Sequence, residues 1–167
     1  MTWESDIEEL KKREKFAEKM GGEEKLLKQK ENKRLNVRER IELLLDKNTF
    51  HEIGKIAGKA VYNDEGELIE FKPSNFVMGR GLIEGRNVVV GGDDFTVRGG
   101  AADASIAQKQ IMSEQLANEY RLPLIRLIEG TGGGGSVKSL DMEERTYIPG
   151  NPGWNWVVEN LSTVPVI

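Results

Sequence analysis

The 167-residue chain has no cysteine and a single histidine, His51. The first absence excludes a disulfide framework, a thiol nucleophile and a thiolate metal site. The second excludes any site that needs two imidazoles. No apolar run approaches the roughly 20 residues needed to span a bilayer, so no membrane partner is expected. The acidic start, Met1 to Asp6, lacks both a signal-peptide apolar region and an Arg-rich transit pattern, and a cytoplasmic location is expected. Excess positive charge is missing too. With 24 basic against 28 acidic side chains the net charge is -4, which offers no global attraction to nucleic acid.

What is present is unevenly spread. Residues 1–47 hold 13 basic and 12 acidic side chains, whereas the remaining 120 residues hold 17 of the 19 glycines. This division predicts a charged helical arm, 1–47, followed by a glycine-punctuated α/β body, 48–167. In the arm, Ile7, Leu10, Ala17 and Met20 form a thin apolar stripe on a first helix, which Gly21-Gly22 interrupts. A second helix is better marked. Asn36 can cap it, Glu39 stands at the reciprocal capping position, and Val37, Ile41, Leu44 and Leu45 share a face. The arm is expected to pack on the body or on another subunit. The acids interleaved among its basic residues argue against nucleic acid.

In the body, strands are expected at 49–53, 76–83, 87–90 and 94–97, with a hairpin-like turn around 63–66. A helix over 103–120 is stopped before Pro123, and 124–128 reads as a buried strand, which makes one βαβ unit. A further helix is expected near 154–161. The closing run Val164-Pro165-Val166-Ile167 looks like a strand opening with no turn after it, so truncation of a longer chain is expected.

Candidate sites are few. Glycine amides at 130–136, directly after a predicted strand, suit a phosphate or a developing oxyanion. The phosphate-loop test fails there, because Ser136-Val137 stand where Lys-Ser/Thr are required. A dinucleotide loop lacks its acidic residue about 20 positions on. His51 and Glu52 would face opposite sides of a strand, and Asp93-Asp94 would diverge, so neither pair suggests metal or acid–base chemistry. Trp154 and Trp156 are read as packing residues. The chain is poor in ionisable catalytic groups and rich in glycine amides. If it is an enzyme, it works by holding an oxyanion.

Three motifs then align in order. The segment 77–86, VMGRGLIEGR, followed by 94–100, DFTVRGG, resembles the carboxyltransferase (beta) subunit of biotin-dependent acyl-CoA carboxylases acting on propionyl-, acetyl- or methylcrotonyl-CoA. The segment 38–46, RERIELLLD, resembles that family's N-terminal helix motif, with Thr49-Phe50 and Glu52 just beyond. The resemblance runs from about Lys33 to Ile167. It implies a crotonase-like α/β fold, a spiral of ββα units, here incomplete and preceded by the helical arm. It implies carboxyl transfer from carboxybiotin, with biotin carried on a partner domain or subunit, to the α-carbon of an acyl-CoA, with no metal. Gly132, Gly133 and Gly134 would take the oxyanion role jointly, since Gly134-Gly135 replace the family's usual Ala-Arg. Phe95, Arg98, Gly99 and Gly100 would lie along CoA, and Arg38 could meet a CoA phosphate. The implied partners are a biotin carboxylase or biotin carrier subunit, the C-terminal carboxyltransferase half, and other copies of the subunit in a homo-oligomer. Two other classes remain open: a crotonase-fold hydratase or hydrolase using Glu129, and a non-catalytic assembly subunit. The resemblance predicts little or no turnover of carboxybiotin with acetyl-CoA or propionyl-CoA by the isolated chain, and robust turnover would contradict it.

Overall fold

The computed structural model describes residues 3–101, 106–130, 140, 141, 144 and 153–167. In chain order the described elements are helices α1 (Glu4–Glu18), α2 (Glu23–Glu31) and α3 (Val37–Leu44), then strands β1 (His51–Ile53), β2 (Gly58–Tyr62), β3 (Leu68–Pro73), β4 (Phe76–Ile83) and β5 (Arg86–Asp93). After a short turn at Arg98–Gly100 come helix α4 (Ala107–Tyr120), strand β6 (Leu124–Leu127) and helix α5 (Trp154–Thr163).

Alternation in β5 organises the core. Val88 and Val90 face one side of the sheet and Val89 the other, and all three are buried. β4 pairs antiparallel with β5 across a two-residue turn, with Ile83 opposite Arg86. Both turn residues, Glu84 and Gly85, have positive φ (50° and 77°), as a tight hairpin of this twist requires. The Asp46 carboxylate accepts both of their amides, at 3.1 and 2.9 Å. β1 lies antiparallel to β4 and β6 lies parallel to β5, giving the order β1-β4-β5-β6. Val166 then bridges Leu124 in parallel; the Leu124 amide donates to the Pro165 carbonyl, the Ile167 amide to the Leu124 carbonyl, and the Arg126 amide to the Ile167 carbonyl. The apolar closing run therefore adds to the sheet beside β6. β2 and β3 form a separate antiparallel pair, along which α1 runs.

Helices cover both faces of the sheet. On one face α3 and its C-cap insert Val37, Ile41 and Leu45 against Val77, Val88, Val90 and Ile125, with Met20 reaching in from the arm. The predicted capping box starts this helix. The Asn36 side chain accepts the Glu39 amide at 3.0 Å, and Glu39 returns a bond to the Asn36 amide at 2.9 Å. Each fully buried Val, Leu or Ile contributes on the order of 1.5–3 kcal/mol, so three from one two-turn helix and its cap hold it firmly. On the other face α4 packs Ala117 against Val89 and Leu124.

α5 docks on α4 through polar groups. Asn160, fully buried, donates to the Glu114 carbonyl (3.0 Å) and carboxylate (2.9 Å) and accepts from Asn118 (3.0 Å). Arg126 on β6 completes the network with two bonds to Glu114, at 2.8 and 2.9 Å.

Two expectations are corrected, and a third lies outside the described residues. Residues 94–97 form a turn rather than a strand, because the Asp94 carboxylate turns back to the Thr96 amide and hydroxyl. The described part of α4 begins at Ala107, and the expected start at Asp103 lies outside the described residues. The arm also holds a helix, α2, that periodicity does not reveal. Its ends carry the charges a helix favours, Glu23 and Glu24 first and Lys28 and Lys30 last.

Replacing Asn160 with Ala leaves buried partners unpaired. The expected loss is about 2–4 kcal/mol of unfolding free energy in urea titration, and an unchanged midpoint would contradict the network's role.

Candidate functional site

The segment 94–100 is braced at both ends by one buried residue, Asn75, through its backbone and its side chain. The Asn75 carbonyl accepts the Asp94 amide at 2.8 Å, and its side-chain amide donates to the Ala101 carbonyl at 2.7 Å. Between these anchors Arg98, Gly99 and Gly100 all take left-handed φ, at 55°, 63° and 71°. Glycine adopts that conformation without steric cost, which accounts for the pair that follows Arg98. Gly100 also lies against the backbone that follows β6. A Cβ there would stand 2.7 Å from the Glu129 carbonyl oxygen and 3.1 Å from the Gly130 Cα.

The other wall comes from the arm. Lys25, Lys28, Gln29 and Asn32 recur at helical spacing, so α2 and the residue after it turn them to one side, with Arg34 just beyond. They face Phe95, Thr96, Arg98 and Gly99 across a cavity of about 450 Å³. Four cationic residues and one aromatic ring therefore surround a single space. Gly21 joins the walls: its amide donates to the Thr96 hydroxyl at 2.9 Å, and a Cβ on it would overlap the Thr96 carbonyl.

Three of the residues proposed from the sequence, Phe95, Arg98 and Gly99, thus line one cavity, and Gly100, next in the chain, lies against the Glu129–Gly130 backbone. Arg38 does not line it. Its guanidinium makes a two-bond ion pair with Glu52, at 2.8 and 3.0 Å. Gly132, Gly133 and Gly134 lie outside the described residues. The arm residues Lys25, Lys28 and Arg34 were missed by the sequence reading. The 25-28-29-32 spacing was the available signal, hidden because Glu23, Glu24 and Glu31 balance the charge along the sequence but point elsewhere around the helix.

The acids near the strand ends are occupied. Asp93 accepts the Glu129 amide at 3.0 Å, and Asp94 holds Thr96. Burial raises both aspartates above their ordinary range, while those hydrogen bonds pull the other way. Glu129 pairs with Arg40 at 3.5 Å. His51 is exposed, opposite Arg80 in the sheet register. Among the described residues no group of three or more His, Cys, Asp or Glu could hold a metal ion, and no helix is long and apolar enough to cross a membrane.

A model of the carboxyl transferase domain matches residues 28–144. The chain is 32% identical over 132 residues to the carboxyltransferase subunit of propionyl-CoA carboxylase from Haloferax mediterranei, covering 79% of this chain and 26% of that protein. It is 37% identical over 118 residues to a putative propionyl-CoA carboxylase beta chain from Bacillus subtilis, covering 71% and 23%. Among solved structures it resembles transcarboxylase 12S, a hexamer with methylmalonyl-coenzyme A and methylmalonic acid bound. There the TM-score is 0.66 at 28% identity, over 79% of this chain and 26% of that one. The chain spans about a quarter of the length of the curated relatives it matches.

Lys109, buried in the first turn of α4, yields a test of the packing around Glu52 and Arg38. Burial lowers its pKa from 10.5 to about 8, with Glu52 opposing and Arg38 reinforcing that shift. The folded chain loses this proton at lower pH than the unfolded chain does. The stability cost of the buried charge is therefore fully present below pH 8 and fades as pH rises towards 10.5. Denaturation midpoints of the wild-type chain should rise relative to Lys109→Met across that window, and parallel curves would contradict the burial of the charge.

Proposed function

The chain belongs to the carboxyl transferase domain family, and from that premise we propose that it is the N-terminal portion of an acyl-CoA carboxyltransferase, holding the nucleotide end of acyl-CoA between α2 and the 94–100 loop. The fold is crotonase-like. One observation carries the reading: the family-like residues Phe95, Arg98 and Gly99 share a cavity with Lys25, Lys28 and Arg34. The nucleotide end of CoA presents a 3′-phosphate, a pyrophosphate and an adenine. Charge-assisted bonds from Lys and Arg suit the first two, and an aromatic face suits the third.

The geometry also supports a path to the reacting carbon. Gly100 abuts the Glu129–Gly130 backbone, so the loop that would hold CoA touches the entry to the 130–136 glycine segment. In the proposed reaction the α-carbon of a short-chain acyl-CoA would give up its proton to the biotin nitrogen freed when the N–carboxyl bond breaks, so that negative charge develops on the thioester oxygen. The enolate carbon would then bond the released carboxyl carbon. Amides of Gly132, Gly133 and Gly134 are proposed to receive the negative charge, and one lost donor of this kind costs about 2.7–4 kcal/mol. Biotin, on a partner domain or subunit, would supply the activated carboxyl. Arg38 is better suited to a structural task, bracing α3 on β1 through Glu52.

The proposed partners follow from the same reading: a biotin carboxylase or carrier subunit, a C-terminal carboxyltransferase half, and further copies of the subunit, in the cytoplasm.

Adenosine 3′,5′-bisphosphate should bind the chain, with affinity that falls as salt screens the cations. Joint Lys25→Ala and Lys28→Ala substitution should weaken calorimetric binding by about tenfold or more. Unchanged affinity would contradict the nucleotide assignment.

A further inference from the structure

We propose that Thr96 is a positioning residue, pinning α2 to the 94–100 loop and so setting where Lys25 and Lys28 stand. The consequence for ligand binding rests on the nucleotide reading above; the pin itself rests on geometry alone.

One hydroxyl serves both walls. Thr96 Oγ1 donates to Asp94 Oδ1 at 2.5 Å, which leaves its lone pairs for the Gly21 amide at 2.9 Å. The order cannot be reversed, since an ionised carboxylate only accepts and a backbone amide only donates. Asp94 and Thr96 are 2% and 3% exposed, so water is poorly placed to replace either bond. On the arm side, only glycine lets the chain come this close, because a Cβ on Gly21 would overlap the Thr96 carbonyl. Gly22, at φ 95°, then opens α2 without a side-chain cap.

The position of the pin gives it leverage. At about 1.5 Å per residue, Lys25 and Lys28 sit roughly one and two turns along the helix from Gly22. A small rotation there moves both ammonium groups relative to Arg98. Met20 and Leu26 meanwhile pack against the main core and hold the arm in place without the pin. Loss of the pin should therefore shift α2 without unfolding the chain.

Because Thr96 itself lines the cavity, a second variant separates positioning from direct contact. Gly21→Ala adds no group to the cavity lining but breaks the same approach. In the ligand-free 167-residue chain, Thr96→Val and Gly21→Ala should speed amide exchange across Glu23–Glu31 and leave β4 and β5 protected. Thr96→Ser, which keeps the hydroxyl, should behave as wild type. In calorimetry with adenosine 3′,5′-bisphosphate, Thr96→Val and Gly21→Ala should each weaken binding by about tenfold. The joint Lys25→Gln and Lys28→Gln substitution should then cost less in the Thr96→Val background than in wild type. Unchanged exchange in α2, or losses that simply add, would overturn the proposal. Absence of wild-type binding with the exchange response intact would overturn the nucleotide reading and leave the pin standing.

Discussion

The contact between Thr96 and Gly21 is the constraint on which the candidate site depends. The 94–100 loop is fixed to the sheet by Asn75, and α3 is fixed to the same sheet by Val37, Ile41 and Leu45. α2 hangs between them. Six of its nine residues are charged, only Gln29 is buried, and Leu26 alone packs against the main core. It is therefore placed less by its hydrophobic face than by its junctions, with Met20 and Gly21 before it and the turn into Asn36 after it. Buried polar anchors of this kind contribute little net energy but impose one geometry, since each alternative leaves a desolvated group unpaired.

The same logic recurs at the far side of the sheet. Glu114, Asn118, Arg126 and Asn160 join α4, β6 and α5 in one satisfied network. Nonspecific burial could not choose among ways of laying α5 on α4. A network whose donors and acceptors must all match can. Lys109 feels the field of the Arg38–Glu52 pair, and its buried ammonium carries a cost that packing around it must offset. The sheet supplies stability through its valines, and the polar clusters decide how the helices sit on it.

Much of this was legible from the residues. The reciprocal Asn36–Glu39 cap, the β4–β5 hairpin about Glu84-Gly85, and the α4–β6 step ended by Pro123 all carry local signals that tertiary context did not override. The closing Val164–Ile167 run was read as a strand opening, and the structure gives it a single bridge to β6, Val166 to Leu124. Two features were not legible. The turn at 94–97 looked like a strand because its apolar residues alternate, and only the fold shows Asp94 folding back onto Thr96. α2 was invisible because one leucine packed on the core and junctions at its ends make no apolar stripe, and periodicity detects nothing else. That omission hid Lys25, Lys28 and Arg34, half of the cavity. The motif residues Phe95, Arg98 and Gly99 were found because they lie in one contiguous, glycine-marked segment. Their partners arrive from some 70 positions earlier, a relation that one sequence does not encode locally.

A crystal structure of the chain with acetyl-CoA bound tests the central claim most directly. The account predicts the 3′-phosphate and pyrophosphate between α2 and Arg98, with the adenine near Phe95 and the pantetheine leading past Gly100 towards Gly130. A nucleotide bound elsewhere, with α2 and the 94–100 loop facing only solvent, would contradict it.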